Sequence, residues 1–149
     1  MDLINEDLII TESELTDKKE IIIMMANLIK KNGRLSDLGT FVKEVLKRES
    51  LGSTAVGHGV GIPHGKTDAV KVPTIAFIKT KEYVKWGNDE DDLVNLIFMI
   101  AVPESVGSNE HLKILANLSK KLINDDFRNS LLITNDKEKI NNILQSVFG

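Results

Sequence analysis

The sequence predicts an α/β fold, with one mixed parallel and antiparallel β-sheet flanked by helices on both faces. Three observations point to it. Strand-like runs of β-branched and apolar residues interleave with helical stripes along the chain. Residues 93–102 are almost continuously apolar, as expected of a strand buried on both faces. The runs at 74–78 and 83–86 lie too close together for a helical crossover, which predicts an antiparallel pair and hence a mixed sheet.

Taken in order, residues 7–11 read as a short first strand. Thr16 or Asp17 can cap a helix whose inner face carries Ile21, Ile22, Met24, Met25, Leu28 and Ile29. Lys30 and Lys31 suit the dipole of its last turn, and Asn32-Gly33 end it. Ser36 is read as the cap of a second helix with Leu38, Phe41, Val42, Val45 and Leu46 inward. That helix delivers the chain to a glycine-rich stretch. Residues 74–78 read as a strand, 79–82 as a turn and 83–86 as a second short strand. Pro103 ends the apolar strand. Ser108 is expected to cap a helix bearing Leu112, Leu115, Leu118 and Leu122. Asp125-Asp126 open a further helical piece, and Asp136 caps the last, with Ile140, Ile143, Leu144 and Val147 inward. One domain spanning 1–149 is expected.

Composition removes several classes of function. With 42% hydrophobic residues the chain can build a core without staples. It has no cysteine, so disulfides, thiolate chemistry and cysteine-based metal sites are excluded. The net charge is −3 with no Lys/Arg-rich run, which argues against nucleic acid. The longest apolar run is too short to span a bilayer, and the N-terminus lacks the basic start of a signal peptide. A cytoplasmic protein without direct membrane insertion is expected.

The chain's most unusual stretch is Gly57-His58-Gly59-Val60-Gly61-Ile62-Pro63-His64-Gly65-Lys66-Thr67. It holds four of the ten glycines and two of the three histidines. Such a run is expected to be a loop rather than a regular helix or strand. Its Gly-Lys-Thr tail suggests a nucleotide-binding P-loop, but the glycine that motif requires falls on Val60. His64 is the better candidate. Pro63 restricts the backbone before it, Gly65 leaves space after it, and a neutral imidazole has a lone pair to attack with. His111 lies near the start of a helix, where an anion is favoured. Arg48 precedes the stretch and could fork onto a phosphate; the plainer reading is a surface Arg paired with Glu49 or Glu44. Thr54 could hydrogen-bond an imidazole or a phosphate oxygen. His58 is read as incidental, and residues 89–92 as a solvated turn. A metal site on His58, His64 and His111 is disfavoured, because no helical His-x3-His pair exists. No cofactor or metal is called for.

The motif Arg48-Glu49-x4-Thr54-x2-Gly57-x-Gly59-x-Gly61-Ile62-Pro63-His64-Gly65-Lys66 resembles the active-site signature of the fructose/mannitol-type enzyme IIA domains (EIIA type-2) of the bacterial sugar phosphotransferase system (PTS). The resemblance continues through Trp86-Gly87, Asp91-Asp92-Leu93-Val94, Ala101-Val102-Pro103 and Glu110-His111-Leu112-x2-Leu115-x2-Leu118. It implies a phosphotransferase. His64 would take a phosphoryl group, as tele-phosphohistidine, from the phosphohistidine of the carrier HPr. It would pass the group to a IIB domain, which supplies a fructose- or mannitol-class sugar as it crosses through the membrane IIC domain. Arg48 and His111 would line the same site, with Thr54 and Gly65 supporting the phosphate. The alternative is a nitrogen-related regulatory IIA that signals through its phosphorylation state.

Overall fold

The apolar run Leu93–Val102 forms the central strand of a six-stranded sheet. The structure is a computed structural model. It describes residues 2–90 and 92–148, and the side chains at 106–108, 110 and 111 lie outside the described residues. Along the chain come β1 (Ile9–Ser13), α1 (Lys18–Lys31), α2 (Leu38–Ser50), β2 (Ala55–Gly57), β3 (Val60–Gly61), β4 (His64–Lys66), β5 (Thr74–Lys85), β6 (Leu93–Val102), α3 (Gly107–Leu122), α4 (Asp125–Leu132) and α5 (Lys137–Phe148). The sheet order is β1-β5-β6-β3-β2, with β4 also on β6. β1 runs parallel to β5, β5 antiparallel to β6, and β3 and β4 parallel to β6. The mixed sheet of the sequence reading is therefore present.

The antiparallel pair expected between 74–78 and 83–86 does not form. The two short strands expected at 74–78 and 83–86 are one strand, β5, and it pairs with β6 from Thr74↔Ala101 to Lys85↔Leu93. The polar residues read as a turn make a register shift between Lys79 and Val84 instead. Lys79 explains why the chain does not turn there. Its side chain is buried, and its ammonium donates to the carbonyls of Leu131 (3.0 Å), Leu132 (3.3 Å) and Thr134 (2.6 Å). These include the last carbonyls of α4, which have no partner within the helix. Burial holds the Lys79 pKa below the usual lysine value, and the charge of Glu12 opposes the shift in part.

Local signals place most helices. Asp17 caps α1 by accepting from Glu20 N (3.0 Å), and Gly33 follows its end at φ +80°. The cap of α2 is Asp37 rather than Ser36: the Asp37 carboxylate accepts from Thr40 N at 3.0 Å. Ser36 spends its N–H on the Ala69 carbonyl (2.8 Å), which ties it to the segment before β5. Asn124 caps α4, and Asp136 accepts from Glu138 N and Lys139 N ahead of α5. The cap expected at Ser108 lies outside the described residues; α3 begins at Gly107. α1 and α2 pack on each other and on β5 and β4, whereas α3, α4 and α5 pack together, with α5 against β1. Between these layers Phe77 and Phe98 meet at 4.9 Å between ring centroids, and Trp86 is fully buried.

Candidate active site

The glycine-rich stretch is not a loop. Ala55–Gly57 and Val60–Gly61 form a tight hairpin, and the chain then lies extended along β6. His58 (φ 57°) and Gly59 (φ +78°) occupy the turn, which needs positive φ at both central residues. At Gly59 a Cβ would stand 2.8 Å from Asn95 Oδ1, while its carbonyl accepts from the N–H groups of Asn95 (2.8 Å) and Leu96 (3.0 Å). Glycine therefore permits the close approach that fastens the hairpin to β6. Ile62 and Pro63 bridge β3 and β4, and even here Ile100 N donates to Pro63 O at 3.0 Å. Glycine and proline content predicts an irregular run, and its pieces are only two or three residues long. Only the ten-residue β6 beside them makes them strands.

His64 opens β4 opposite Ile100. Its Nδ1 lies 2.8 Å from the carbonyl oxygen of Ile62. A carbonyl only accepts, so Nδ1 carries the proton and the neutral ring's lone pair resides on Nε2. Gly65 is buried under α2, where a Cβ would come within 3.1 Å of both Phe41 and Val45. Strand alternation turns the His64 ring to the other face of the sheet. β4 ends beside the end of β6, with Lys66 opposite Val102 and Thr67 N donating to Val102 O (3.0 Å). His64 thus sits at the amino end of β4 and two residues short of the carboxyl end of β6.

The other candidates lie on separate segments of the fold. Arg48 is in the last turn of α2, the helix that covers β4, and its guanidinium donates to Gly52 O (3.0 Å). His111 is in α3, and its side chain lies outside the described residues. Thr54 is buried, but its hydroxyl, expected to reach an imidazole or a phosphate, is engaged elsewhere. It donates to Glu49 Oε2 (2.5 Å) and accepts from Trp86 Nε1 (2.9 Å). Thr54 reaches the imidazole's surroundings through its carbonyl, which accepts from Ile62 N at 3.1 Å. His58 is exposed at the hairpin tip and, with Val56, Gly57, Ser119, Leu122 and Ile123, lines a shallow groove between hairpin and α3. Among the described residues no group of three or more His, Asp or Glu side chains comes together as a metal site requires.

The sequence reading includes Glu49 in the motif and as a possible partner of Arg48 but gives it no role of its own. Its carboxylate is 5% exposed and pairs with Lys18 at 2.6 Å, not with Arg48. Lys18 also donates to Trp86 O (2.6 Å), and its ammonium lies 5.1 Å from the Trp86 ring. The signal was available in the spacing. Phe41, Val45 and Glu49 recur every four residues on the inward stripe of α2, and Lys18, Ile22 and Met25, four and then three residues apart, share one stripe of α1. A carboxylate and an ammonium on two buried stripes of helices that pack together are natural partners.

Comparison with known proteins defines the class of this domain. The sequence profile of the family "Phosphoenolpyruvate-dependent sugar phosphotransferase system, EIIA 2" matches residues 2–147, and the chain belongs to that family. The fructose-specific EIIA component of Haloferax volcanii is 37% identical over 141 residues, covering 95% of this chain and 91% of that protein. The fructose-specific EIIABC component of Bacillus subtilis is 35% identical, but this chain spans only 20% of it. Among solved structures, the nitrogen regulatory protein IIA-Ntr of Neisseria meningitidis superimposes with a TM-score of 0.85 at 32% identity, over 95% of this chain and 96% of that one. The mannitol IIA of Escherichia coli gives 0.81 at 25% identity, over 95% and 98%. The chain is thus a phosphoryl-carrier domain of the phosphotransferase type. Among the described residues no helix is long and apolar enough to cross a membrane.

Proposed function

We propose that His64 carries the phosphoryl group, accepting it on Nε2 from the phosphohistidine of HPr and passing it to a IIB domain for uptake of a fructose- or mannitol-class sugar. The observation that carries this reading is the bond from His64 Nδ1 to the Ile62 carbonyl. It leaves the lone pair on Nε2, so that a Nε2–P bond can form as the donor's N–P bond breaks and its electron pair returns to the donor ring. Nδ1 keeps its proton throughout. Because the transition state is loose, the rest of the site has mainly to align the group and offset its charge. Arg48 from α2 and His111 from α3 are assigned that role. Donor and acceptor are both nitrogen, so transfer stays reversible, as a relay requires. The shallow groove beside the hairpin, with Val56 and Ile123 exposed at 50% and 74%, supports brief docking of successive protein partners. The sugar class is supported by the fructose-specific relatives. A regulatory role is the second reading, favoured by the superposition on IIA-Ntr.

The test is incubation with phosphorylated HPr, mapping of the phosphate, and then addition of candidate IIB domains. Acid-labile phosphate on His64, absent from a folded His64→Ala variant, is expected. Label retained by that variant would falsify the assignment. Onward transfer to a sugar-specific IIB separates transport from regulation.

A further inference from the structure

We propose that Glu49 is a positioning residue that sets the tautomer of His64 through a continuous chain of hydrogen bonds. A carboxylate in the last turn of a helix faces the negative end of the dipole, and burying it costs hydration. Glu49 bears both penalties, and both of its oxygens are committed. Oε1 accepts from Lys18 Nζ (2.6 Å) and from Thr54 N (3.3 Å), and Oε2 accepts from the Thr54 hydroxyl (2.5 Å). Thr54 is therefore gripped at its amide and its side chain together. Its carbonyl then accepts from Ile62 N (3.1 Å), and the Ile62 carbonyl accepts from His64 Nδ1 (2.8 Å).

Ile62 is thus held at both ends, by Thr54 on its N–H and by the imidazole on its carbonyl. Trp86 clamps the same turn of chain. Its indole donates to Thr54 Oγ1 and lies against Gly61, where a Cβ would be 3.5 Å from Cε2 and Nε1. Lys18 in turn fixes Trp86 through its carbonyl. The start of α1, the end of α2 and the residue after β5 all converge on the peptide that decides which ring nitrogen of His64 holds the proton. If the Ile62 carbonyl swings away, Nδ1 loses its acceptor, and the tautomer with the lone pair on Nδ1 becomes competitive. The consequence for phosphoryl transfer rests on His64 being the acceptor; the control of the tautomer does not.

The experiment is a long-range 1H–15N correlation spectrum of the imidazole in the unphosphorylated, 15N-labelled protein, at a pH where the ring is neutral. In the unaltered protein Nδ1 should resonate as the protonated nitrogen and Nε2 as the unprotonated one. Glu49→Ala should move both toward the averaged shifts of an exposed histidine. It should slow phosphoryl acceptance about tenfold in kcat, with KM for the donor changed by less than about twofold. Glu49→Gln, which can still accept from the Thr54 hydroxyl, should restore most of both. Unchanged shifts in a folded Glu49→Ala protein overturn the proposal and reduce Glu49 to a stabilising ion pair. If that variant does not fold, Thr54→Val replaces it, removing the hydroxyl at equal volume. Unchanged shifts there overturn the proposal equally. An unaltered protein that takes no phosphate sinks the carrier reading while the tautomer result still stands.

Discussion

Along one edge of β6 lies β5, twelve residues rich in β-branched and aromatic side chains. Along the other lie β3 and β4, five residues in all, two of them glycine. The first edge is held by what its side chains fill. Phe77 packs on Phe98, and residues 74–80 of β5 are all buried. The second edge is held by what its residues lack. Gly65 lets α2 settle onto β4, Gly61 lets Trp86 come close to the chain, and Gly59 lets the hairpin meet Asn95. The candidate nucleophile sits on the second edge. Apolar packing supplies rigidity there from outside, through α2 and Trp86, while the strand's own surface stays low enough for a partner to approach.

Substitutions on the two edges should separate stability from carrier activity. The largest loss of stability is expected from Phe98→Ala on the packed edge, about 3–5 kcal/mol by denaturant titration. Phosphoryl acceptance per folded molecule should be nearly unchanged; a parallel loss would show that the edges are not independent. Gly65→Val should cost less stability, about 1–3 kcal/mol, because its branched side chain drives into Phe41 and Val45. It should nonetheless remove most phosphoryl acceptance by displacing β4, and labelling at the unaltered rate would break the contrast. Gly59→Ala should be mildest, about 1–2 kcal/mol for a side chain at positive φ, and Asn95→Ala in the same chain should recover part of it. Failure of that recovery would place the cost in the backbone alone.

Much of the fold is legible locally. The stripe from Ile21 to Ile29 and the cap at Asp17 yield α1, the run at 93–102 yields β6, and Asp136 announces α5. Errors arise where a long-range partner decides. Lys79-Thr80-Lys81-Glu82 has turn composition, yet the carbonyls at the end of α4 draw the Lys79 ammonium inward and keep β5 continuous. The candidate site divides in the same way. His64 stands out because Pro63 and Gly65 flank it. Thr54 stands out as well, but its hydroxyl is taken by Glu49 and Trp86. Glu49 belongs to the motif, but beside Arg48 it looks like an ordinary helix-surface charge, and the motif itself gives no sign that it binds Lys18 and Thr54.

The residue order alone decides where the helices start and stop, which strand is central, which family the motif resembles and which histidine is distinctive. These depend on periodicity, caps and spacing within a few turns of chain. Tertiary structure decides that the glycine-rich stretch is strand, that Lys18 finds Glu49, and that the Ile62 carbonyl meets Nδ1 of His64. Two- and three-residue segments have no conformational preference strong enough to declare themselves. They acquire one only from a neighbouring strand's unpaired N–H and C=O groups and from the helix packed above them.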